Sequence, residues 1–114
     1  EPAAALDFHH QDRVIGLLRR VADTRRLAVL VTTHHPDHAL AIADRALLLR
    51  GDESHVVGPV DDVLSEAELA GLYHLPIRLL RHAADGVELT ALAPVFRSQI
   101  ERRRAAARKD LDVD

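Results

Sequence analysis

Residues 27–31, Leu-Ala-Val-Leu-Val, are apolar at every position and run into Thr32-Thr33. A strand with one wet face alternates apolar and polar residues. A strand that is apolar on successive residues suits coverage on both faces, as in a parallel sheet layered with helices. The flanks agree with that demand. Upstream, Val14, Leu17, Leu18 and Val21 recur at helical spacing, with Arg13, Arg19, Arg20 and Asp23 largely off the stripe. Asp7 can cap this helix, because its carboxylate can accept from free N–H groups of the first turn. The helix should fade near Thr24. Downstream, Pro36 suits the first turn of a second helix, with Ala39, Leu40, Ile42 and Ala43 as its buried side. Residues 46–49 form a second apolar strand. The order helix–strand–helix–strand predicts an α/β fold with parallel strands. A buried parallel strand needs neighbours on both sides, and this chain supplies few. The pattern therefore implies earlier strands upstream of residue 1.

The remainder reads as smaller elements. Gly51-Asp52 makes a turn, and residues 55–57 can return as a hairpin partner. Gly58-Pro59 breaks the chain. Residues 60–64 and 65–73 read as two short helical turns, and Ser65 with Glu68 forms a capping box. Residues 77–81 and 87–92 read as strands around Asp85-Gly86, a favoured hairpin turn. After Pro94 the composition changes, and six of the 15 basic residues fall between Arg97 and Lys109. We expect residues 1–94 to form one α/β unit ending in a small C-terminal β-hairpin. Residues 95–114 should form a charged helical or disordered tail.

Composition narrows the function classes. The 114 residues suffice for one small domain, and 47% hydrophobic with 29% charged residues is globular. A formal net charge of −3 argues neither for disorder nor for a strongly basic nucleic-acid binder. With aromatics at only 3%, the core must rest on Leu, Val, Ile and Ala. The chain has no cysteine, which rules out disulfides and thiolate metal sites. No apolar run approaches the length of a membrane span. There is no methionine and the chain opens at Glu1-Pro2, so we read it as a piece of a longer protein.

Three segments carry a family resemblance. The opening EPAAALD resembles the EPTSALD segment that follows the Walker B strand in the ATP-hydrolysing subunits of ABC transporters. VLVTTHHPDHALAIADRALLLRGDESHVVGP resembles the H-loop region of the same family. GPVDDVLSEAELAGLYHLPIRLL resembles the stretch after the last hairpin in importers of iron–siderophore complexes, haem and cobalamin. Together they cover residues 1–92 in the family's order. The resemblance implies the C-terminal part of a P-loop NTPase domain. It implies that Glu1 is the catalytic carboxylate that polarises the attacking water. It implies that Ala4, Ala5, Leu6 and Asp7 form the D-loop, which crosses to a partner subunit. It makes His34 the switch histidine that contacts the γ-phosphate. Asp7 is then both a nucleotide-site residue and a helix cap. Ala3-Ala4 stand where Thr-Ser is common, which removes a D-loop hydroxyl.

These residue types suit the chemistry. Phosphoryl transfer is mostly positioning and charge stabilisation, so a carboxylate orients the nucleophile while a donor reads the phosphate. One helix and one strand separate Glu1 from His34. Both would reach the C-terminal edge of adjacent parallel strands, where α/β sheets bind ligands.

The resemblance implies ATP and Mg2+ as ligands of the intact family, a second ATPase subunit in a homodimer, a membrane permease, and a place on the cytoplasmic face of the membrane. The sequence lacks G-x-x-x-x-G-K-[ST], the Q-loop, the LSGGQ signature and the Asp before the catalytic Glu. The chain alone should bind ATP poorly, and an unpaired strand at 27–31 should expose an aggregation-prone edge. Alternatives are the ATPase of another metal or oxyanion importer, or a small regulatory or metal-binding protein reusing the fold. His34, His35 and His38 are spaced H-H-x-x-H, which could hold zinc. Because only His38 lies within the helix, we read them as solvated histidines flanking the switch and expect no metal. Arg102-Arg103-Arg104 reads as a solvated helix face rather than a nucleic-acid or lipid patch.

Overall fold

In a computed structural model, the structure describes residue 3 and residues 5–111. They divide into two compact units, Glu1–Leu64 and Ser65–Asp114. The first contains helix α1 (Phe8–Arg25), helix α2 (Pro36–Ile42), strands β1 (Arg45–Leu49) and β2 (His55–Pro59), and helix α3 (Val60–Val63). The second contains helix α4 (Glu66–Tyr73), strands β3 (Ile77–Ala84) and β4 (Val87–Pro94), and helix α5 (Arg97–Leu111). No helix among the described residues is long and apolar enough to cross a membrane.

In the first unit, Asp7 is the N-cap of α1 and its side chain accepts from the His10 N–H. Arg26 closes the helix in the left-handed conformation, φ 49°, and returns its N–H to the Ala22 carbonyl. Arg19 pins α1 to the C-terminal end of α2. It forms a two-point pair with Asp23, at 2.8 and 3.1 Å. Its Nη1 also donates to the Ile42 carbonyl at 3.0 Å and to Asp44 Oδ2 at 2.8 Å. Hydrogen bonding to Asp44, then to Asp23, raises its pKa further above the ordinary arginine value. Asp44 thus sits between two elements, since its own carbonyl accepts from the Val60 N–H at 3.1 Å.

The strand expected at 27–31 does not form a ladder. Residues 27–33 carry no strand pairing among the described residues, and both sheets are two-stranded antiparallel hairpins. The physical reason is the absence of a neighbour: a strand is defined by its partner, and none of the described elements offers one. Leu30 is 94% exposed, where a doubly covered strand would bury it. The α/β class stands, but parallel pairing is not formed within this stretch. Residues 46–49 lie in β1, which pairs with β2 from Arg45 opposite Pro59 to Leu49 opposite His55. β1 alternates exposed and half-buried residues instead of burying both faces. Asp52 shapes the connecting turn by accepting from both the N–H and the hydroxyl of Ser54. Val60 and Val63 are buried, and Gly58 packs close to Val63, where an added Cβ would lie 3.5 Å from Cγ2.

The second unit agrees closely with its sequence signals. Ser65 caps α4, accepting from the Glu68 N–H at 3.2 Å. Leu69 on this helix is fully buried. His74 ends α4 in the left-handed conformation, φ 58°. β3 and β4 pair from Ile77 opposite Pro94 to Ala84 opposite Val87. Both residues of the two-residue turn have positive φ, Asp85 at 52° and Gly86 at 77°, the geometry that matches strand twist in a tight hairpin. Glu66 Oε2 accepts from the Leu79 N–H at 3.2 Å, tying α4 to β3. α5 has no buried residue.

Candidate functional site

The site is built where the start of α1 meets the start of α2. Glu1, the expected catalytic carboxylate, lies outside the described residues, and so does Ala4. The chain turns at Ala5, which adopts φ 65°, and the Leu6 N–H returns to the Ala3 carbonyl at 3.4 Å. Asp7 then caps α1. Its Oδ1 accepts from the His10 N–H at 2.9 Å and lies 2.7 Å from His10 Nδ1. The His10 backbone N–H, then its side chain, holds the Asp7 carboxyl below its ordinary value. Asp7 is thereby committed to α1, with most of its surface open to solvent.

His34 is exposed and lies two residues ahead of α2. The His35 N–H donates to Thr33 Oγ1 at 3.0 Å, which shapes the approach to the helix. His35 is the N-cap without a side-chain cap bond, and Pro36 occupies the first turn. His38, one turn into α2, departs from the solvated position that the sequence suggests. It is only 8% exposed. Its Nε2 lies 3.0 Å from Gln11 Oε1, and the Gln11 amide nitrogen donates to the Leu6 carbonyl at 2.7 Å. Its ring stacks on His35 with centroids 4.7 Å apart. A buried imidazole needs a polar partner, and Gln11 supplies one from 27 residues away. No local periodicity discloses that pairing.

The H-H-x-x-H spacing does not bring its three histidines together. The side chains that converge are His35, Asp37 and His38, with donor atoms within 4.8 Å of one another. His38 Nε2 is 4.0 Å from Asp37 but closer to Gln11, so the buried ring faces the amide first. Those three are the described residues that could share a cation. Along α1, Leu6, Val14 and Leu17 with His10, Arg13 and Arg20 line a shallow open groove.

No protein-family model matches the chain. It is 38% identical over 77 residues to the molybdate import ATP-binding protein MolC of Haemophilus influenzae, covering 68% of this chain and 30% of that protein. It is 39% identical over 89 residues to the hemin import ATP-binding protein HmuV of Rhodococcus jostii, covering 78% of this chain and 30% of the relative. A solved metal-chelate type ABC transporter in an inward-facing conformation shares its fold, with TM-score 0.81 and 31% identity. That match covers 87% of this chain and 39% of the transporter chain. The chain belongs to the ATP-binding subunits of ABC transporters. It corresponds to the C-terminal part of their ATPase fold and spans 30% of the length of either relative.

Proposed function

We propose that this chain forms the C-terminal part of the nucleotide-binding domain of an ATP-hydrolysing importer subunit. One observation carries the reading: a single stretch of this chain matches ATP-binding subunits in sequence and a transporter ATPase in fold. In the intact subunit Glu1 polarises the attacking water and His34 contacts the γ-phosphate. Asp7 anchors the D-loop through its cap on α1. The exposed position of His34, just before α2, suits contact with a phosphate arriving from outside this segment. ATP is the substrate and Mg2+ neutralises its phosphates. Both are held chiefly by elements this sequence lacks, so the chain alone binds nucleotide weakly. The intact subunit works as a homodimer against a membrane permease, on the cytoplasmic face of the membrane. Residues 1–94 belong to the ATPase unit and residues 95–114 to a charged tail.

The cargo we favour is an iron chelate, haem or cobalamin, which the likeness to hemin import proteins supports. An oxyanion importer is the second reading, favoured by the 38% identity to a molybdate import protein. The ATPase subunit does not touch cargo, so its residues do not choose between them. Single-turnover hydrolysis by a longer subunit carrying this segment tests the reading. His34→Ala should cut the hydrolysis rate on the order of 100-fold, the loss typical of removing one transition-state donor, with ATP binding retained. An unchanged rate would refute the assignment.

A further inference from the structure

We propose that Gln11 is a positioning residue that ties the D-loop turn to the switch-histidine segment within one subunit. The inference rests on the function proposed above and concerns its regulation. The chemistry of the partners fixes the direction of the bridge. A backbone carbonyl only accepts, so the Gln11 amide nitrogen must face Leu6, at 2.7 Å. The amide oxygen must then face His38, at 3.0 Å. An amide oxygen only accepts, so the buried ring carries its proton on Nε2. One side chain thus fixes the carbonyl of Leu6 and the tautomer of His38 together.

A second pin joins the same helices. Arg19, two turns further along α1, holds the Ile42 carbonyl and Asp44 at the far end of α2. His38 and Ile42 are one turn apart on α2. The pair of pins therefore docks α2 at both ends. Arg19 secures the end leading to β1, whereas Gln11 secures the end that carries His34. Pro36 fixes φ at the junction, so movement at the head of α2 is passed to His35 and His34. A shift of the turn at Ala5 and Leu6 reaches the His34 end of α2 through Gln11.

Two substitutions separate the halves of the bridge. Gln11→Met keeps the side-chain volume and removes both hydrogen bonds. Gln11→Glu can still accept from His38 Nε2–H but cannot donate to the Leu6 carbonyl. The first readout is nitrogen-15 and amide NMR of the 114-residue chain. We expect the Nε2–H tautomer of His38 in the parent and in Gln11→Glu. Gln11→Met should mix the tautomers and shift the His34 amide together with that of Leu6. A displaced His38 signal with an unmoved His34 amide would overturn the proposal. The second readout is hydrolysis by a longer subunit carrying the segment. Gln11→Met should lower kcat about tenfold, as small misplacements of a catalytic group do, with KM for ATP held within about twofold. Gln11→Glu, a fold-preserving second variant, should fall between parent and Gln11→Met. If His34→Ala lowers hydrolysis on the order of 100-fold while Gln11→Met runs at the parent rate, the role of Gln11 is refuted and the ATPase reading stands. If His34→Ala hydrolyses normally, both fall.

Discussion

At the residue scale, two side chains show how different environments set different consequences. Asp7 is exposed, and its carboxyl is held low because the ionised form accepts from the His10 N–H and side chain. A depressed folded-state value means that the cap stabilises α1 above the ordinary carboxyl range. That contribution is lost as pH falls through the lowered value. An acid titration monitored by amide exchange at His10 should show the first turn of α1 opening below the ordinary range of aspartate. Asp7→Ala should show the first turn open throughout the titration. Leu69 is the opposite case, with no exposed surface. Leu69→Ala should cost roughly 2–5 kcal/mol by lost transfer energy and a residual cavity, read as a shift in the urea midpoint. Leu17, at 55% exposure, should tolerate the same change with far less loss. His38 stands between these extremes, since it is polar, buried and satisfied by a single distant amide.

At the element scale, turn and cap chemistry decides the local architecture. Gly86 adopts φ 77° with no atom within 4 Å of where a Cβ would stand. Gly86→Ala therefore costs backbone strain alone, about 1 kcal/mol, and should lower the melting temperature of the β3–β4 hairpin without a packing defect. The elements legible in the sequence are those whose signals are local. Asp85-Gly86, the Ser65 cap on α4, the Asp7 cap and the Pro36 helix start each depend on residues within a turn of one another, and each forms where the sequence places it. Residues 27–31 are legible as apolar but not as unpaired, because pairing depends on strands elsewhere. β1 and β2 are legible as a hairpin from Gly51-Asp52, yet the apolar run in β1 suggests burial on both faces. Leu47 and Leu49 are instead 56% and 70% exposed. Gln11 is silent in the sequence for the same reason: its meaning lies in the distance between two helices, not in its neighbours along the chain.

At the scale of the whole molecule, the two units differ in how far they satisfy themselves. In Ser65–Asp114 each strand has a partner and α4 is tied to β3. In Glu1–Leu64 the apolar stretch at 27–31 remains open, with Leu27 half exposed and Leu30 almost wholly so. Contiguous apolar exposure of this kind marks a surface made for burial. The proposed function supplies the cover, namely the remaining strands of a nucleotide-binding domain. The isolated chain should therefore associate in solution as its concentration rises, which sedimentation velocity would detect. A monomer with a sharp cooperative melt would speak against an incomplete sheet. Hydrolysis by the intact subunit depends finally on where two functional groups lie. The direct measurement is an experimental structure of a longer subunit carrying this segment, bound to a non-hydrolysable ATP analogue. We predict the Glu1 carboxylate and the His34 imidazole on the same side of the sheet, both within hydrogen-bond reach, about 3 Å, of the terminal phosphate or the water beside it. Side chains on opposite faces of the sheet, or separated along its strands, would contradict the account.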